Sequence, residues 1–109
     1  MKILAIATTA LITLSACSLT LPVQGQMVSG AETFTGSATG YMDGGGTLSI
    51  TLTSGRTCEG DFVYTTGRKG EGVFVCSDGK SGPFSFVSTG SRGTGTGNIG
   101  GVAFTFTFG

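Results

Sequence analysis

The chain has 109 residues, of which 21 are glycine and none is tryptophan or histidine, and its formal net charge is zero. So balanced a charge gives no support to a nucleic-acid partner or to bulk attraction toward an anionic membrane. Without histidine, serine and threonine lose their usual activating base, and metal sites lose a common ligand.

Met1-Lys2 opens a short apolar run, residues 3–16. Spanning a bilayer core as a helix takes about 20 residues, so this run is too short to be an anchor. It closes on Leu14-Ser15-Ala16-Cys17, which resembles the lipobox of bacterial lipoproteins. The resemblance implies that residues 1–16 are a signal peptide, that a diacylglycerol joins the Cys17 thiol, and that a peptidase then cuts before Cys17, whose freed amine is acylated too. Each buried CH2 contributes about 0.8 kcal/mol, and more than one chain anchors stably. Ser18 in place of aspartate implies transport to the outer membrane, with the protein facing the periplasm. An ordinary secretory signal cut after Ala16 is the competing reading.

From Cys17 to Glu32 no sustained period emerges, and Pro22, Gly25 and Gly30 interrupt the run. Residues 17–32 therefore read as a lipidated N-terminus and tether, able to reach about 50 Å when fully stretched. Residues 33–109 read as one glycine-rich all-β domain. Gly, Thr, Ser, Val and Phe dominate, and alternation at period two recurs between glycine-bearing turns. Strands are expected at 33–41, 46–53, 57–64, 70–76, 83–88, 93–98 and 101–108. Short connections make a sequential antiparallel meander the simplest topology, either an open sheet or a small barrel.

With Cys17 assigned to lipid, Cys58 and Cys76 remain, in a compartment where disulfides persist. Their spacing is not C-x-x-C, and no histidine completes a metal site, so a disulfide is the better reading. Placing them opposite one another pairs Gly60 with Phe74, Phe62 with Gly72 and Tyr64 with Gly70. Each ring would then lie over a glycine on the neighbouring strand.

The pattern also repeats: Gly67, Gly70 and Gly72 return as Gly90, Gly93 and Gly95, and Gly60, Phe62 and Tyr64 return as Gly82, Phe84 and Phe86. Cys58-Glu59-Gly60-Asp61-Phe62, Gly67-Arg68-Lys69-Gly70-Glu71-Gly72-Val73 and Asp78-Gly79 before Gly82-Pro83-Phe84 resemble MORN repeats, which read Y-x-G-x-F then G-x-x-G-x-G. The likeness spans residues 40–97; Cys58 stands where tyrosine is usual. It implies a scaffold or interaction surface and no catalysis by the repeats themselves.

Motifs of other chemistries fit poorly. Gly95-Thr96-Gly97-Asn98-Ile99-Gly100 matches G-x-G-x-x-G, but Phe104-Thr105-Phe106-Thr107-Phe108 follows at strand period where a nucleotide site needs a helix. Asp43-Gly44-Gly45-Gly46 lacks the repeated acidic ligands of a calcium loop. Glu59, Asp61 and Glu71 read as a solvated face rather than an acid/base pair. Phe104, Phe106 and Phe108 read as core. No cofactor, metal, nucleotide or enzymatic activity is therefore expected.

Successive turns of a meander alternate between two ends, which would gather Arg68, Lys69, Arg92 and Asp43 at one of them. That end is the candidate binding surface, for an envelope protein, a glycan or a lipid headgroup. The function expected is a structural or interaction module of the envelope. The alternative is a small β-barrel that inhibits an envelope-directed hydrolase such as lysozyme.

Overall fold

The computed structural model describes residues 18–30, 32–41 and 44–109. The signal segment 1–16, the lipidation candidate Cys17 and the turn residue Asp43 lie outside the described residues.

Alternation at period two carries through to the architecture. The strands are β1 (Ser18–Met27), β2 (Thr33–Tyr41), β3 (Gly45–Leu52), β4 (Thr57–Tyr64), β5 (Lys69–Cys76), β6 (Ser81–Thr89), β7 (Arg92–Ile99) and β8 (Val102–Phe108). Each pairs antiparallel with its sequence neighbours, and β8 pairs back onto β1, so the meander closes into a barrel. Closure removes the free sheet edges except along residues 18–21 of β1, which pair with β2 alone.

The segment expected to be a tether is strand β1 for most of its length. Leu19, Leu21, Val23, Gly25 and Met27 alternate with Thr20, Pro22, Gln24 and Gln26, and Val23 and Met27 are buried. Its pairing with β2 runs from Ser18↔Tyr41 to Gln26↔Thr33, whereas its pairing with β8 covers just Val23↔Phe108 to Met27↔Phe104. β8 ends at Phe108, opposite Val23, which sets the length of this seam, and Pro22 lies just past its end. The Pro22 carbonyl accepts a bond from Gly109 N (3.0 Å), and Pro22 has no N–H to return.

An eight-stranded barrel has an interior about as wide as the side chains that fill it. All eight phenylalanines point into it and are buried, with Leu48, Ile50, Leu52, Ile99 and the cystine beside them. Ring pairs meet at tilted or edge-on angles, among them Phe74–Phe84 at 4.5 Å and Phe62–Phe86 at 5.0 Å between centroids. Glycine opposite each ring makes the room. A Cβ on Gly70 would stand 2.3 Å from Phe86 Cζ, one on Gly95 2.3 Å from Phe106 Cζ, and one on Gly93 2.2 Å from Phe108 Cζ.

Cys58 and Cys76 form the disulfide, directly opposite in register with Cα atoms 3.9 Å apart. The hairpin register is the expected one: Gly60↔Phe74, Phe62↔Gly72 and Tyr64↔Gly70. The covering rings differ from expectation, however. Gly70 lies under Phe86 and Gly72 under Phe84, both from β6, while Phe62 of β4 covers Gly46 of β3. Seven of the eight rings lean one way around the barrel, over a glycine of the strand that precedes their own; the exception is Phe74, since the ring nearest a Cβ on Gly60 is Phe84.

Turns close the hairpins where glycine can take a positive φ. Leu52 N bonds to Arg56 O and Cys76 N to Lys80 O, with Gly55 (φ 96°) and Gly79 (φ 88°) at matching positions. At the end of the barrel holding these two turns, Met27, Leu52 and Ile99 close the interior. Arg56 lies there too, its guanidinium reaching Asp78 Oδ2 at 3.0 Å and Glu32 Oε1 at 3.8 Å.

Candidate functional site: the open mouth of the barrel

The two ends of the barrel are unlike. Opposite the plugged end, where β2 leads to β3, β4 to β5 and β6 to β7, the interior is not filled. A cavity of about 310 Å³ opens there, lined by inward positions of β1, β2, β3, β4, β6 and β8. Leu21, Ala38, Leu48 and Gly40 line one side, and Phe62, Phe86, Phe106 and Phe108 the floor and the other. Ser18, Leu19, Tyr41, Tyr64 and Gly90 form the rim.

Among the described residues, the rim is more exposed than the opposite end. Leu19 and Tyr64 occupy inward strand positions, yet Leu19 is 57% and Tyr64 39% exposed. Met27 and Ile99, their counterparts at the other end, are 5% and 1% exposed. Tyr64 is fixed by edge-on packing against Phe62 and Phe86, at 6.0 and 5.6 Å. Among the described residues none that lines the cavity carries a formal charge, and their side-chain hydroxyls come from Ser18, Tyr41 and Tyr64 at the rim. Below the rim the wall is hydrocarbon and ring faces, the usual make-up of a pocket for apolar ligands at the lower end of the size range.

Arg68, Lys69 and Arg92 all belong to this end of the fold. Arg68 is in the β4–β5 connection, Lys69 starts β5 and Arg92 starts β7, and each is exposed. The Arg68 backbone is pinned: its carbonyl accepts bonds from Ser88 N (2.8 Å) and Ser88 Oγ (3.3 Å). Lys69 O accepts a bond from Thr65 N at 2.8 Å. Among the described residues no carboxylate lies within ion-pair distance of these three cations.

The remaining candidates fall elsewhere. Glu59, Asp61 and Glu71 are exposed on the outer wall of β4 and β5, where the cross-strand partners are valines: Glu59↔Val75, Asp61↔Val73, Val63↔Glu71. Gly95 and Gly97 are inward positions of β7, and a turn and strand β8 follow them. A larger, shallow trough of about 920 Å³ crosses the outer wall over Gln24, Thr35, Lys69, Thr96 and Thr107. Its lining is mostly exposed polar side chains, so the smaller mouth is the better-built site.

Sequence reasoning missed two features. The mouth depends on Leu19 and Leu21, which went unread inside the supposed tether. The Arg56 cluster joins residues from three connections: Ser54 N donates to Glu32 Oε2 (3.2 Å), and Lys80 N donates to Asp78 Oδ1 (3.0 Å). That backbone bond is the largest cause; opposed by desolvation and helped by the Arg56 guanidinium and the charge of Lys80, it holds the Asp78 carboxyl below its ordinary value of 3.8.

No protein family matches the chain, and no curated protein matches it. Solved structures do share its fold. A redesigned β-barrel bound to DFHBI superimposes with a TM-score of 0.67 at 14% identity, over 82% of this chain and 90% of that one. A de novo designed fluorescence-activating β-barrel gives 0.62 at 11% identity, over 82% and 88%. At these identities the likeness is one of fold: the chain is an eight-stranded antiparallel barrel of the size and closure seen in those designs.

Proposed function

We propose that the chain is a lipid-anchored protein of the bacterial outer membrane, facing the periplasm, whose barrel is a non-catalytic interaction module engaging its partner at the open end. The observation that carries this is where β1 begins. Cys17 of the lipobox-like motif directly precedes Ser18, which is both the first residue of β1 and a rim residue of the mouth. Acyl chains on Cys17 would hold the open end at the bilayer with almost no tether. Arg68, Lys69 and Arg92 then face the region of lipid phosphates and glycan carboxylates. A designed barrel of the same fold is bound to DFHBI, which supports reading such a barrel as a ligand-binding scaffold.

Mass spectrometry of the mature protein tests the anchor: the expected N-terminus is an acylated Cys17, and an unmodified N-terminus elsewhere overturns it. Replacing Arg68, Lys69 and Arg92 together by serine tests the surface, with weaker capture of envelope partners as the expected result. Unchanged capture removes the cations from the site.

Barrel closure also favours a second reading, a small inhibitor of an envelope-directed hydrolase such as lysozyme. An inhibitor needs a segment that enters the enzyme's cleft, and the connections among the described residues are short. Inhibition of lysozyme activity by the purified barrel would select this reading over the first.

A further inference from the structure

We infer that the mouth holds a single alkyl chain, with an anionic head group left at the rim. The inference rests on reading the open end as the binding end, and it is independent of whether Cys17 is lipidated.

Shape, polarity and charge each narrow the ligand. An eight-stranded barrel admits one small ligand and no more, and Phe62, Phe86, Phe106 and Phe108 bound the cavity from below. At depth the lining offers Leu21, Ala38, Leu48 and ring faces. A polar atom carried down to that level would lose its water without gaining a partner, which is costly. The ligand's buried part is therefore hydrocarbon throughout, and its polar part stays at the level of Ser18, Tyr41 and Tyr64. At that end Arg68, Lys69 and Arg92 are exposed and among the described residues have no carboxylate at ion-pair distance. The charge complement is an anion. A free fatty-acid-like amphiphile meets all three conditions, whereas an acyl chain of the protein's own N-terminal lipid, joined through an uncharged ester or amide, fails the third.

The sequence supplies the reporter. Tyrosines number two and tryptophan is absent, and both Tyr41 and Tyr64 are rim residues. Tyrosine emission thus reads the mouth directly. The chain from residue 17 with Cys17→Ser contains every strand and every core residue described above, and it is the form to titrate. Octanoate, decanoate and dodecanoate, each below its micelle concentration, should give saturable changes. Affinity should rise about fourfold per added methylene until the cavity is full, then level off.

Leu19→Asp, at a largely exposed position that tolerates substitution, should weaken dodecanoate at least about tenfold with the unfolding midpoint unchanged. Ala38→Phe, which fills the cavity, should do the same. The Arg68, Lys69 and Arg92 to serine variant should lose its preference for dodecanoate over dodecyltrimethylammonium. Absence of a saturable response to any chain, wild-type affinity in both mouth variants, or binding of 1-naphthoate without binding of decanoate overturns the inference. None of those results touches the lipid anchor, which mass spectrometry tests separately.

The source is read by comparing lipidated protein with the Cys17→Ser form in the same phosphatidylcholine vesicles. A dodecanoate response lost only in the lipidated form assigns the cavity to the protein's own acyl chain. That result overturns the anionic head group, and a response retained in both forms assigns the cavity to a free amphiphile and supports the inference.

Discussion

Glycine in this barrel has three different roles, and an alanine series separates them. A Cβ on Gly36 would stand 1.8 Å from Ser49 O and 2.8 Å from Ile50 Cα. Both are backbone atoms of the paired strand β3, so no rotamer change relieves the clash; β2 would have to leave β3. Gly36→Ala should therefore cost about 3 kcal/mol or more, beyond ordinary overpacking. For a domain of this size that lowers the unfolding midpoint by about 15 °C or more.

At Gly70 the three atoms nearest the added Cβ all belong to the Phe86 ring, at 2.3 to 2.9 Å. Phe86 borders the open cavity, so the ring has somewhere to go. Gly70→Ala should cost about 1 to 2 kcal/mol, and combining it with Phe86→Leu should recover about 1 kcal/mol as a coupling energy. Gly40 has nothing within 4 Å of its would-be Cβ and no positive φ. Gly40→Ala should be neutral or stabilise by about 0.5 kcal/mol through the unfolded chain. Denaturant unfolding followed by circular dichroism measures all three. Equal midpoints for Gly36→Ala and Gly40→Ala would refute the claim that close strand approach selects glycine here.

Reducing the Cys58–Cys76 bridge, or replacing both cysteines by alanine, should remove about 3 kcal/mol, since the bridge closes a loop with a sequence separation of 18; denaturant unfolding with and without reductant measures it. Asp78 should titrate below 3.8 by NMR. Because its folded value is depressed, any stability it contributes is present above the ordinary carboxylate value and is lost as pH falls through the folded one. Arg56→Gln should raise the Asp78 value in part and leave it depressed, since the Lys80 backbone N–H is the larger cause. A complete return to the ordinary value would reverse that order.

Legibility followed the chemistry of each segment. Two cysteines and alternating glycines fixed a hairpin because both patterns demand the same register, and Cys58↔Cys76 is found in it. The direction in which the rings lean was not legible, since it depends on the neighbour across the other edge of each strand. Closure was left open for the same reason: pairing of β8 with β1 joins the two ends of the chain, and no local pattern records it. The cations of one end could be grouped from turn order alone, but the cavity between them could not, because it is defined by what fails to fill the interior.

β1 is the clearest case of a segment whose structure is set by its neighbours. Alone it reads as irregular, with Pro22 and Gly25 inside it, and its own propensity for strand is weak. In the barrel it pairs on both sides, and it places Val23 and Met27 in the core beside the Phe-Thr-Phe-Thr-Phe run of β8. Without it, β2 and β8 become bare edges, and the inward faces of Phe34, Phe104 and Phe106 lose part of their cover. A chain beginning at residue 28 should therefore keep its disulfide hairpin yet associate through β8, whose alternating Phe and Thr residues carry no charge to oppose pairing. Light scattering after size exclusion reads this directly, and a peptide of residues 17–27 added during refolding should restore the monomer. A truncated chain that stays monomeric and unfolds cooperatively would show that β1 is an accessory to the barrel and not the strand that closes it.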